Sequence, residues 1–568
     1  MRAVFSSLLL LVSFLSACQA HSKCRNVPGS ASFPNATAWS AFNATVSGRL
    51  APVVPSAKYC ANLPCTDAQW SSGLFRSTIP GAMDQINFEQ GYDLNPPSLC
   101  LRNSTACGQG DVPIYSVEAE TVQDVQAAVR FAGANHLRLV VKSSGHDHLG
   151  RSTAPNSLLI HMAKFKDVVF TDAFIVGGQN MGSAVTLGAG VHAKDMHYQT
   201  GVHGKVAVGP PVATLCPAGG YFQGAGHSSI SPLLGLGADN VLEIQIVIAS
   251  GALLKVNNIS NPDLFWALRG GGAGSWGVII SVTVRTFPTF NATISTITLD
   301  LSTNAAAAAV AGVHAQHIFD FDSVRGGQYF FLQKAGNSTT FLFQTFMANA
   351  TLAQGKGTAH AVPHRRARTA RRFPALPGFR YHEHQRRSLP SGRRRSQQCS
   401  DGVALDFNGG VSKPQRIYDS SKGISRAFGW RSARNPGKSR RRSLLQITGQ
   451  VSANANISSA VHPAWRTAKT HLIVVNIWED TAALADINRL RHEFQNSQLT
   501  FLEQLSGPNA GSYSSEGDIF EPDFMTTFYG PNYAKLSAIK NKYDPFDLFI
   551  VAVGVGSERW DEWGICTV

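Results

Sequence analysis

From about residue 113, apolar runs separated by polar and glycine-containing breaks predict a mixture of β-strands and α-helices. Thr121, three residues before Asp124, is typical of a helix start, and the apolar residues that follow recur at helical spacing. LRLVVK at 137–142 has the continuous apolar character of a short buried strand. NPDLFWALRGGG predicts a short helix, with Asn261 as its cap and Pro262 in its first turn. Further strands are predicted at SLLIHM, AVTLGAG, VLEIQIVIASG and GVIISVTVRTF.

The pattern changes after residue 290, where an alanine-rich helix and several more strands are predicted. The helix falls on STNAAAAAVAGVHAQHIF, and the strands fall on FFLQKA, TFLFQTFMA, QITGQVSA and HLIVVNIWED. A long helix is predicted over about 482–506. In a last helix Leu536, Ile539 and Tyr543 share one face, and an Asp-Pro pair ends it.

These elements predict an α+β protein with two domains, for which a chain of 568 residues is long enough. The predicted parts are a signal peptide at 1–20, an irregular Cys-rich region at 21–112, a nucleotide- or flavin-binding domain at 113–290, a sheet-and-helix domain at 291–510, and a C-terminal segment at 511–568 that returns to the first domain.

The first twenty residues indicate export. Arg2 precedes an apolar stretch that is too short to cross a bilayer, and Ala20 is a small residue suited to cleavage. No later apolar stretch has the length of a membrane helix, so no membrane association is expected. N-glycosylation sequons agree with a secreted, extracellular glycoprotein, and they lie at Asn35, Asn43, Asn103, Asn258, Asn291, Asn337, Asn349 and Asn456.

Four cysteines, Cys60, Cys65, Cys100 and Cys107, fall in the irregular N-terminal region. An oxidising compartment favours disulfides between them, with a metal site as the alternative. Their spacing does not give the connectivity.

The formal net charge of +14 is local. Of the 50 basic and 36 acidic residues, 22 basic and four acidic ones lie between residues 356 and 442, which leaves 28 basic and 32 acidic residues elsewhere. The basic block, about 356–443, has no sustained helical or strand periodicity. Three interpretations are open: a disordered surface insertion, a polyanion-binding segment, or a non-native stretch translated from unspliced RNA. Because the rest of the chain is mildly acidic, no nucleic-acid partner is expected.

Two glycine-rich stretches are candidates for holding a ligand. VVKSSGHDHLGRST at 140–153 places His146 after a predicted strand, and CPAGGYFQGAGHSSISPLLGLG at 216–237 allows backbone amides to approach an anion closely. No G-x-G-x-x-G motif follows a predicted strand and opens a helix, and no G-x-x-x-x-G-K-[ST] motif occurs, which disfavours a Rossmann NAD site and a P-loop. From the residues alone, His146 is a turn residue, a metal ligand together with His148, or an attachment point.

The motifs together resemble a known family. VKSSGHDHLGRS, GGYFQGAGHSSISPLLGLGADNVLEIQIVIASG, NPDLFWALRGGGAGSWGVIISVTVRTF and FYGPNYAKLSAIKNKYDPFDLF occur in the order found in secreted FAD-linked oxidases of the berberine-bridge-enzyme-like group, in the vanillyl-alcohol oxidase superfamily. The resemblance covers roughly 113–290 and 446–560, and it implies a two-domain PCMH-type FAD-binding fold with FAD between the domains.

The resemblance also assigns residues to the cofactor. It implies a covalent bond between His146 and the 8α carbon of the flavin, a second tether at Cys216 as in many relatives, and metal-free chemistry. Other residues implied to contact the cofactor are Ser143, Ser144 and Gly145 through their amides, Gly220, Gly224, Gly226 and His227 of the second glycine-rich stretch, and Asn532 of the returning segment.

Two departures from the family pattern affect the site. The loop after Cys216 lacks about four residues of the usual C-P-T-V-G-x-x-G-G, so either the second tether is lost or the loop is rebuilt. The usual Y-x-N-x-x-D pattern appears as Tyr513 to Asp518, with Ser515 in place of the asparagine. Tyr513 and Glu516 are the candidate catalytic bases, and an ordinary surface glutamate is the alternative for Glu516.

The resemblance implies a flavoprotein oxidase acting on an alcohol, amine or sugar-like small molecule, with O₂ as the second substrate and H₂O₂ as a product. A catalytically altered relative and a secreted polyanion-binding protein are the alternatives. The sequence gives neither the substrate nor the oligomeric state.

Overall fold

The computed structural model describes residues 24–102, 104, 106–335, 338–351, 379–386, 422–427, 440–446, 448–479, 482–507 and 510–568. The predicted signal peptide and most of the basic block therefore lie outside the described residues. The strands of the first part are β1 (Leu50–Pro52), β2 (Tyr115–Glu118), β3 (Arg138–Lys142), β4 (Ser157–His161), β5 (Val168–Thr171), β6 (Ile175–Val176), β7 (Gln179–Asn180), β8 (Ala184–Gly188), β9 (Lys205–Val206), β10 (Val241–Val247), β11 (Leu253–Val256), β12 (Val278–Arg285) and β13 (Phe287–Pro288).

The second part contains β14 (Ala292–Leu301), β15 (Gly327–Ala335), β16 (Ser338–Ala348), β17 (Phe379–Arg386), β18 (Lys422–Ala427), β19 (Arg440–Gln446) and β20 (Thr470–Glu479). The α-helices are Ala36–Thr45, Ser56–Asn62, Asp67–Trp70, Gly73–Arg76, Val122–Ala134, Ala193–Val202, Ser231–Leu234, Pro262–Ala267, Asn304–Gln316, Gln450–Ala453, Ala464–Thr467, Leu484–Glu493, Thr500–Ser506 and Tyr533–Tyr543. Single π-helical turns occupy Pro217–Tyr221, Phe494–Leu499 and Met525–Tyr529.

The first domain has two sheets. In one, the order is β1-β2-β4-β3, with β4 parallel to both β2 and β3; in the other, the order is β11-β10-β12-β8-β5 and all pairs are antiparallel. The helix Val122–Ala134 begins in a capping box between Thr121 and Asp124, as predicted, and its apolar face is buried against the first sheet. All five residues of β4 are buried, which explains the apolar run of Leu158, Leu159 and Ile160 at its centre.

The second domain is a seven-stranded antiparallel sheet of order β17-β14-β16-β15-β19-β20-β18. Strand β16 alternates buried and half-buried residues, as a sheet with one covered face requires. The helix Asn304–Gln316 covers that face, where His314 packs against Phe330 and Phe343. Fold class and element types were therefore predicted correctly in most of the chain.

Two predictions of local structure were wrong, and the basic block contains strands that no sequence pattern indicated. QITGQVSA is not a strand, because β19 ends at Gln446 and Gly449 adopts a φ of +64° beside the carbonyl of Pro232, after which a helical turn begins. The basic block contributes β17, β18 and most of β19, since sheet pairing uses backbone groups and does not require apolar alternation. Asn261 precedes the predicted helix, but its side chain donates to the carbonyl of Lys255 and does not cap.

The disulfide prediction for the N-terminal region is confirmed. Cys60 bonds to Cys65 and Cys100 to Cys107, so these four cysteines are not metal ligands. A third disulfide, Cys24–Cys566, joins the two ends of the described chain. Within the described part of the chain, no helix is both long and apolar enough to cross a membrane.

Candidate active site

A cavity of about 330 Å³ lies between the first domain and the seven-stranded sheet. One wall is the 143–149 loop, which follows β3 as the sequence predicted, together with the turn after Cys216. The lining also includes Tyr329 from β15 and, from the C-terminal segment, Tyr513, Ser515 and Glu516. The cavity thus brings together both glycine-rich stretches and the C-terminal segment.

His146 is held between two side chains that sequence reasoning missed. Its Nδ1 lies 3.1 Å from Oδ2 of Asp84, and its Nε2 lies 2.5 Å from Oγ1 of Thr214. Burial raises the pKa of Asp84, but the charge and hydrogen bond of His146 outweigh burial and lower it to about 2. Asp84 is therefore an ionised carboxylate at any ordinary pH. Because Asp84 and Thr214 lie against the two ring nitrogens of His146, a metal role shared by His146 and His148 is not supported.

The chain segment that carries Asp84 is fixed by buried charges. Lys142, at the end of β3, donates from Nζ to the carbonyls of Ile79 (2.5 Å) and Ala82 (2.6 Å). Burial lowers the pKa of Lys142 to about 7. Its Nζ donates hydrogen bonds to three backbone carbonyls, which satisfy the buried amino group. The amide of Asp84 in turn donates to the carbonyl of Gly145 at 3.0 Å. Asp84 is thereby tied to the His146 loop through backbone as well as side chain.

The loop before His146 presents a row of free amides. Within the described residues, the N–H groups of Ser143, Ser144 and Gly145 have no hydrogen-bond acceptor, although Ser144 and Gly145 are buried. Gly145 has a φ of +83°, and a Cβ there would lie 3.2 Å from the carbonyl oxygen of Ala82. Buried amides need a partner, so this loop is built to receive an anionic ligand.

Cys216 is buried on the same wall and is the one free cysteine within the described chain. Its amide donates to Oγ of Ser144 at 3.3 Å, which ties the shortened loop to the His146 loop. The shortened loop is rebuilt as the π-helical turn Pro217–Tyr221. Burial raises the pKa of the Cys216 thiol to about 12, so the thiol is protonated near neutral pH.

Three residues predicted to contact the cofactor lie off the cavity wall. Gly224 is required by packing, because a Cβ there would lie 2.8 Å from the ring of Tyr513. Gly226, at a φ of +76°, packs in the same way against Tyr221. Asn532 donates to the carbonyl of Ala460 at 3.2 Å, at the start of the last helix. Gly220 does line the cavity, together with Ser143, Ser144, Gly145, His146 and Cys216.

His227, which was predicted to contact the cofactor, lines the cavity as part of a second cluster of side chains. Its Nε2 is 3.2 Å from Oε2 of Glu516, and its Nδ1 is 3.3 Å from the hydroxyl of Tyr329. His471, from β20, places Nε2 3.0 Å from the same Glu516 oxygen. Glu516 is therefore not a surface glutamate. It is a carboxylate bridged between two imidazoles, and both it and His227 face the cavity.

The electrostatics of this cluster separate the two candidate bases. Burial raises the pKa of Glu516, yet His227 and His471 outweigh burial and hold it well below its usual range. Burial raises the pKa of Tyr513 to about 12, and nearby Glu516 adds to the shift. Tyr513 is therefore a neutral phenol whose oxygen accepts from the amide of Gly226 at 3.3 Å.

The same cluster is the one group of three metal-ligating side chains found in the described ranges. The ligand atoms of His227, His471 and Glu516 lie within 4.8 Å of one another. In this structure they satisfy each other through hydrogen bonds, which is the arrangement of an oriented imidazole–carboxylate pair.

Comparison with known proteins identifies the family to which the chain belongs. Residues 113–257 match the model of an FAD binding domain, and residues 512–556 match the berberine and berberine-like model. An FAD-linked oxidoreductase of Arthroderma benhamiae is 33% identical over 98% of this chain and 99% of its own length. The chain belongs to the berberine-bridge-like FAD-linked oxidoreductases.

Other relatives agree with this family. The FAD-linked oxidoreductase easE of Trichophyton verrucosum is 32% identical, over 98% of this chain and 94% of its own. The VAO-type flavoprotein MtVAO615 of Myceliophthora thermophila superposes with a TM-score of 0.77 at 25% identity, covering 96% of this chain and all of that chain. The berberine bridge enzyme of Eschscholzia californica shares the fold, with a TM-score of 0.61, 14% identity and coverage of 91% and 98%. This FAD-linked oxidoreductase therefore has the two-domain fold that the sequence predicted.

The residues present fit FAD. The free amides of Ser143, Ser144 and Gly145 suit a pyrophosphate. Two amide oxygens at the cavity, Oε1 of Gln85 and Oε1 of Gln223, are buried without a partner among the described residues and suit the N–H groups of a ring system.

Proposed function

We propose that this FAD-linked oxidoreductase is a secreted oxidase that binds FAD covalently through His146 and oxidises an alcohol, amine or sugar-like small molecule. The observation that carries the proposal is that one cavity is lined both by the unpaired amides beside His146 and by His227 and Glu516 of the second cluster. When bound, FAD supplies the redox chemistry, accepting a hydride from the substrate and passing the electrons to O₂, which becomes H₂O₂.

The protein's own part is to move one proton from the substrate. An ionised carboxylate with a depressed pKa is a weak base by itself, so Glu516 acts by orienting His227 and by balancing the charge that His227 gains. His471, which is not among the residues that line the cavity, lies 3.0 Å from Oε2 of Glu516. Tyr513, as a neutral phenol, is a hydrogen-bond donor to the substrate oxygen or nitrogen and is not the base.

One tether, at His146, is proposed. The thiolate is the nucleophilic form of cysteine, and burial keeps Cys216 protonated near neutral pH. Cys216 then serves as a packed wall residue beside Ser144, which agrees with the shortened loop that follows it.

Acid precipitation tests the attachment. The purified protein is expected to be yellow and to keep its flavin on the precipitated chain, whereas His146→Ala releases it. His203→Ala, at the exposed end of the helix Ala193–Val202, is the matched control and keeps the flavin. A colourless folded protein, or flavin that leaves the wild-type chain in acid, contradicts the proposal.

A panel of sugars, alcohols and amines, read by H₂O₂ release, tests the oxidase activity. For any substrate found, Glu516→Gln is expected to slow flavin bleaching in the absence of O₂ by about 10²-fold or more, because the base loses its orienting charge. Glu503→Gln, on the exposed side of the helix Thr500–Ser506, is the control. An equal rate in both variants contradicts the role given to Glu516.

Secretion is supported by the three disulfides, which persist in oxidising compartments. Expression with the native N-terminus is expected to yield glycosylated protein in the medium. Retention of unglycosylated protein in the cell contradicts it.

A further inference from the structure

Two imidazoles and one carboxylate meet at a single oxygen atom beside the cavity. Oε2 of Glu516 lies 3.2 Å from Nε2 of His227 and 3.0 Å from Nε2 of His471. One ligand-type atom from each of the three side chains lies within 4.8 Å of the other two. Two histidines and one glutamate are a donor set that proteins use for Zn²⁺, with a fourth position left for water or a small molecule.

The distances suit one ion bound by all three side chains. Nitrogen and oxygen ligands hold Zn²⁺ at about 2.0–2.2 Å, so two ligand atoms of a tetrahedral site lie about 3.3 Å apart. The two distances from Oε2 of Glu516 are close to that value. Two imidazoles on one such ion have ring centres about 5 Å apart, and the ring centres of His227 and His471 are 5.5 Å apart. Small rotations of these side chains therefore allow an ion to replace the two hydrogen bonds.

The surroundings supply what a metal-bound histidine needs. The hydroxyl oxygen of Tyr329 lies 3.3 Å from Nδ1 of His227, and it can accept the Nδ1 hydrogen when Nε2 binds an ion. Since His227 and Glu516 both line the cavity, an ion can enter from there and keep a water in its fourth position. The third ligand, His471, comes from β20. The three ligands thus lie on separate segments that only the packing of the two domains brings together.

We propose that His227, His471 and Glu516 form a binding site for a divalent transition-metal ion such as Zn²⁺, and that this ion is an inhibitor and not a cofactor. On binding, the hydrogen of the His227 ring resides on Nδ1, and Nε2 donates its lone pair to the ion. His227 can then no longer accept a proton from the substrate. The inhibition rests on the proton-transfer role proposed above, whereas the binding itself does not. Mg²⁺ and Ca²⁺ are not expected to bind, because they prefer ligand sets made of oxygen.

The binding test uses the complete flavoprotein, purified without a histidine tag and freed of metal with EDTA. Isothermal titration calorimetry measures Zn²⁺ binding to the wild type, Glu516→Gln and His471→Gln, and circular dichroism checks that each is folded. Glutamine has nearly the shape of glutamate, so Glu516→Gln keeps the test decisive even where His471→Gln does not fold. His317→Gln is the matched control, because Nδ1 of His317 makes a similar contact with Oδ2 of Asp320, at 3.0 Å, in another part of the chain.

The wild type and His317→Gln are expected to bind one Zn²⁺ with equal affinity. Loss of a ligand in Glu516→Gln or His471→Gln is expected to weaken that binding by at least about 100-fold. No binding to the wild type, equal affinity in the wild type and Glu516→Gln, or equally tight binding of Mg²⁺ overturns the proposal.

The inhibition is tested on the wild type with any substrate found by H₂O₂ release. Zn²⁺ is expected to slow flavin bleaching in the absence of O₂, and EDTA to restore the rate. Zn²⁺ that binds at this site without slowing the bleaching overturns the inhibitory role. Zn²⁺ binding to a protein that oxidises no substrate supports the metal site and counts against the proposed oxidase alone.

Discussion

Glu89→Gln is expected to destabilise the protein strongly and to disturb the His146 loop from a distance. The side chains of Arg76 and Glu89 are 4% and 0% exposed, and their ion pair has no access to water. Glu89 also accepts from the amide and hydroxyl of Ser56, at 3.0 and 2.6 Å, and from the amide of Met83. Glutamine has the same shape, but its NH₂ group must face one of these donors and Arg76 loses its counterion.

The magnitude follows from burial. Breaking a buried pair by removing one partner costs about 3–5 kcal/mol, because an uncompensated charge stays in the interior. The control is Glu120→Gln, which removes an exposed contact with Arg49 (3.2 Å, side chains 45% and 27% exposed) and is expected to cost less than about 1 kcal/mol.

Urea unfolding followed by tryptophan fluorescence measures both losses of unfolding free energy. The covalent flavin fraction is measured on the same samples and is expected to fall with Glu89→Gln only, since Met83 adjoins Asp84. A loss of stability with Glu89→Gln no larger than with Glu120→Gln would refute the reasoning. If Glu89→Gln destabilises the protein but leaves the covalent flavin fraction unchanged, the ion pair does not influence the His146 loop.

Three further outcomes are expected. Cys216→Ser leaves the acid-stable flavin unchanged, since the buried thiol is not a tether; loss of half or more of it contradicts this. Burial, together with the nearby charges of Asp93 and Glu562, raises the pKa of Asp111 to about 7. Between about pH 4 and pH 7 the native state therefore holds a proton that the unfolded state has released, so the melting temperature should fall as the pH rises through this range. Asp111→Asn should flatten that dependence of the melting temperature on pH. Replacing Cys24 and Cys566 by serine should lower the unfolding free energy by about 2–5 kcal/mol in urea titrations, and an unchanged midpoint would show that the bond between the chain ends does not constrain the unfolded state.

The sequence by itself determined the local elements and the family. Its apolar periodicities correctly predicted the helix Val122–Ala134, the buried strand β4 and the alternating strand β16, because those patterns follow from which face of each element is covered. The order of the glycine-rich motifs determined the resemblance and placed His146 and Cys216 on one wall. Periodicity failed for the strands of the basic block, where backbone pairing proceeds without an apolar pattern.

Only the tertiary structure decided which side chains meet at the site. Asp84 lies 62 residues before His146 along the chain and Thr214 lies 68 after it, in segments with no motif of their own. His471 reaches Glu516 because β20 runs beside the cavity, which no local signal indicates. Two of the predicted glycines, Gly224 and Gly226, lie outside the cavity lining, where they make room for Tyr513 and Tyr221. A side-chain contact between distant segments depends on how sheets and loops pack, and that information is spread over the whole core.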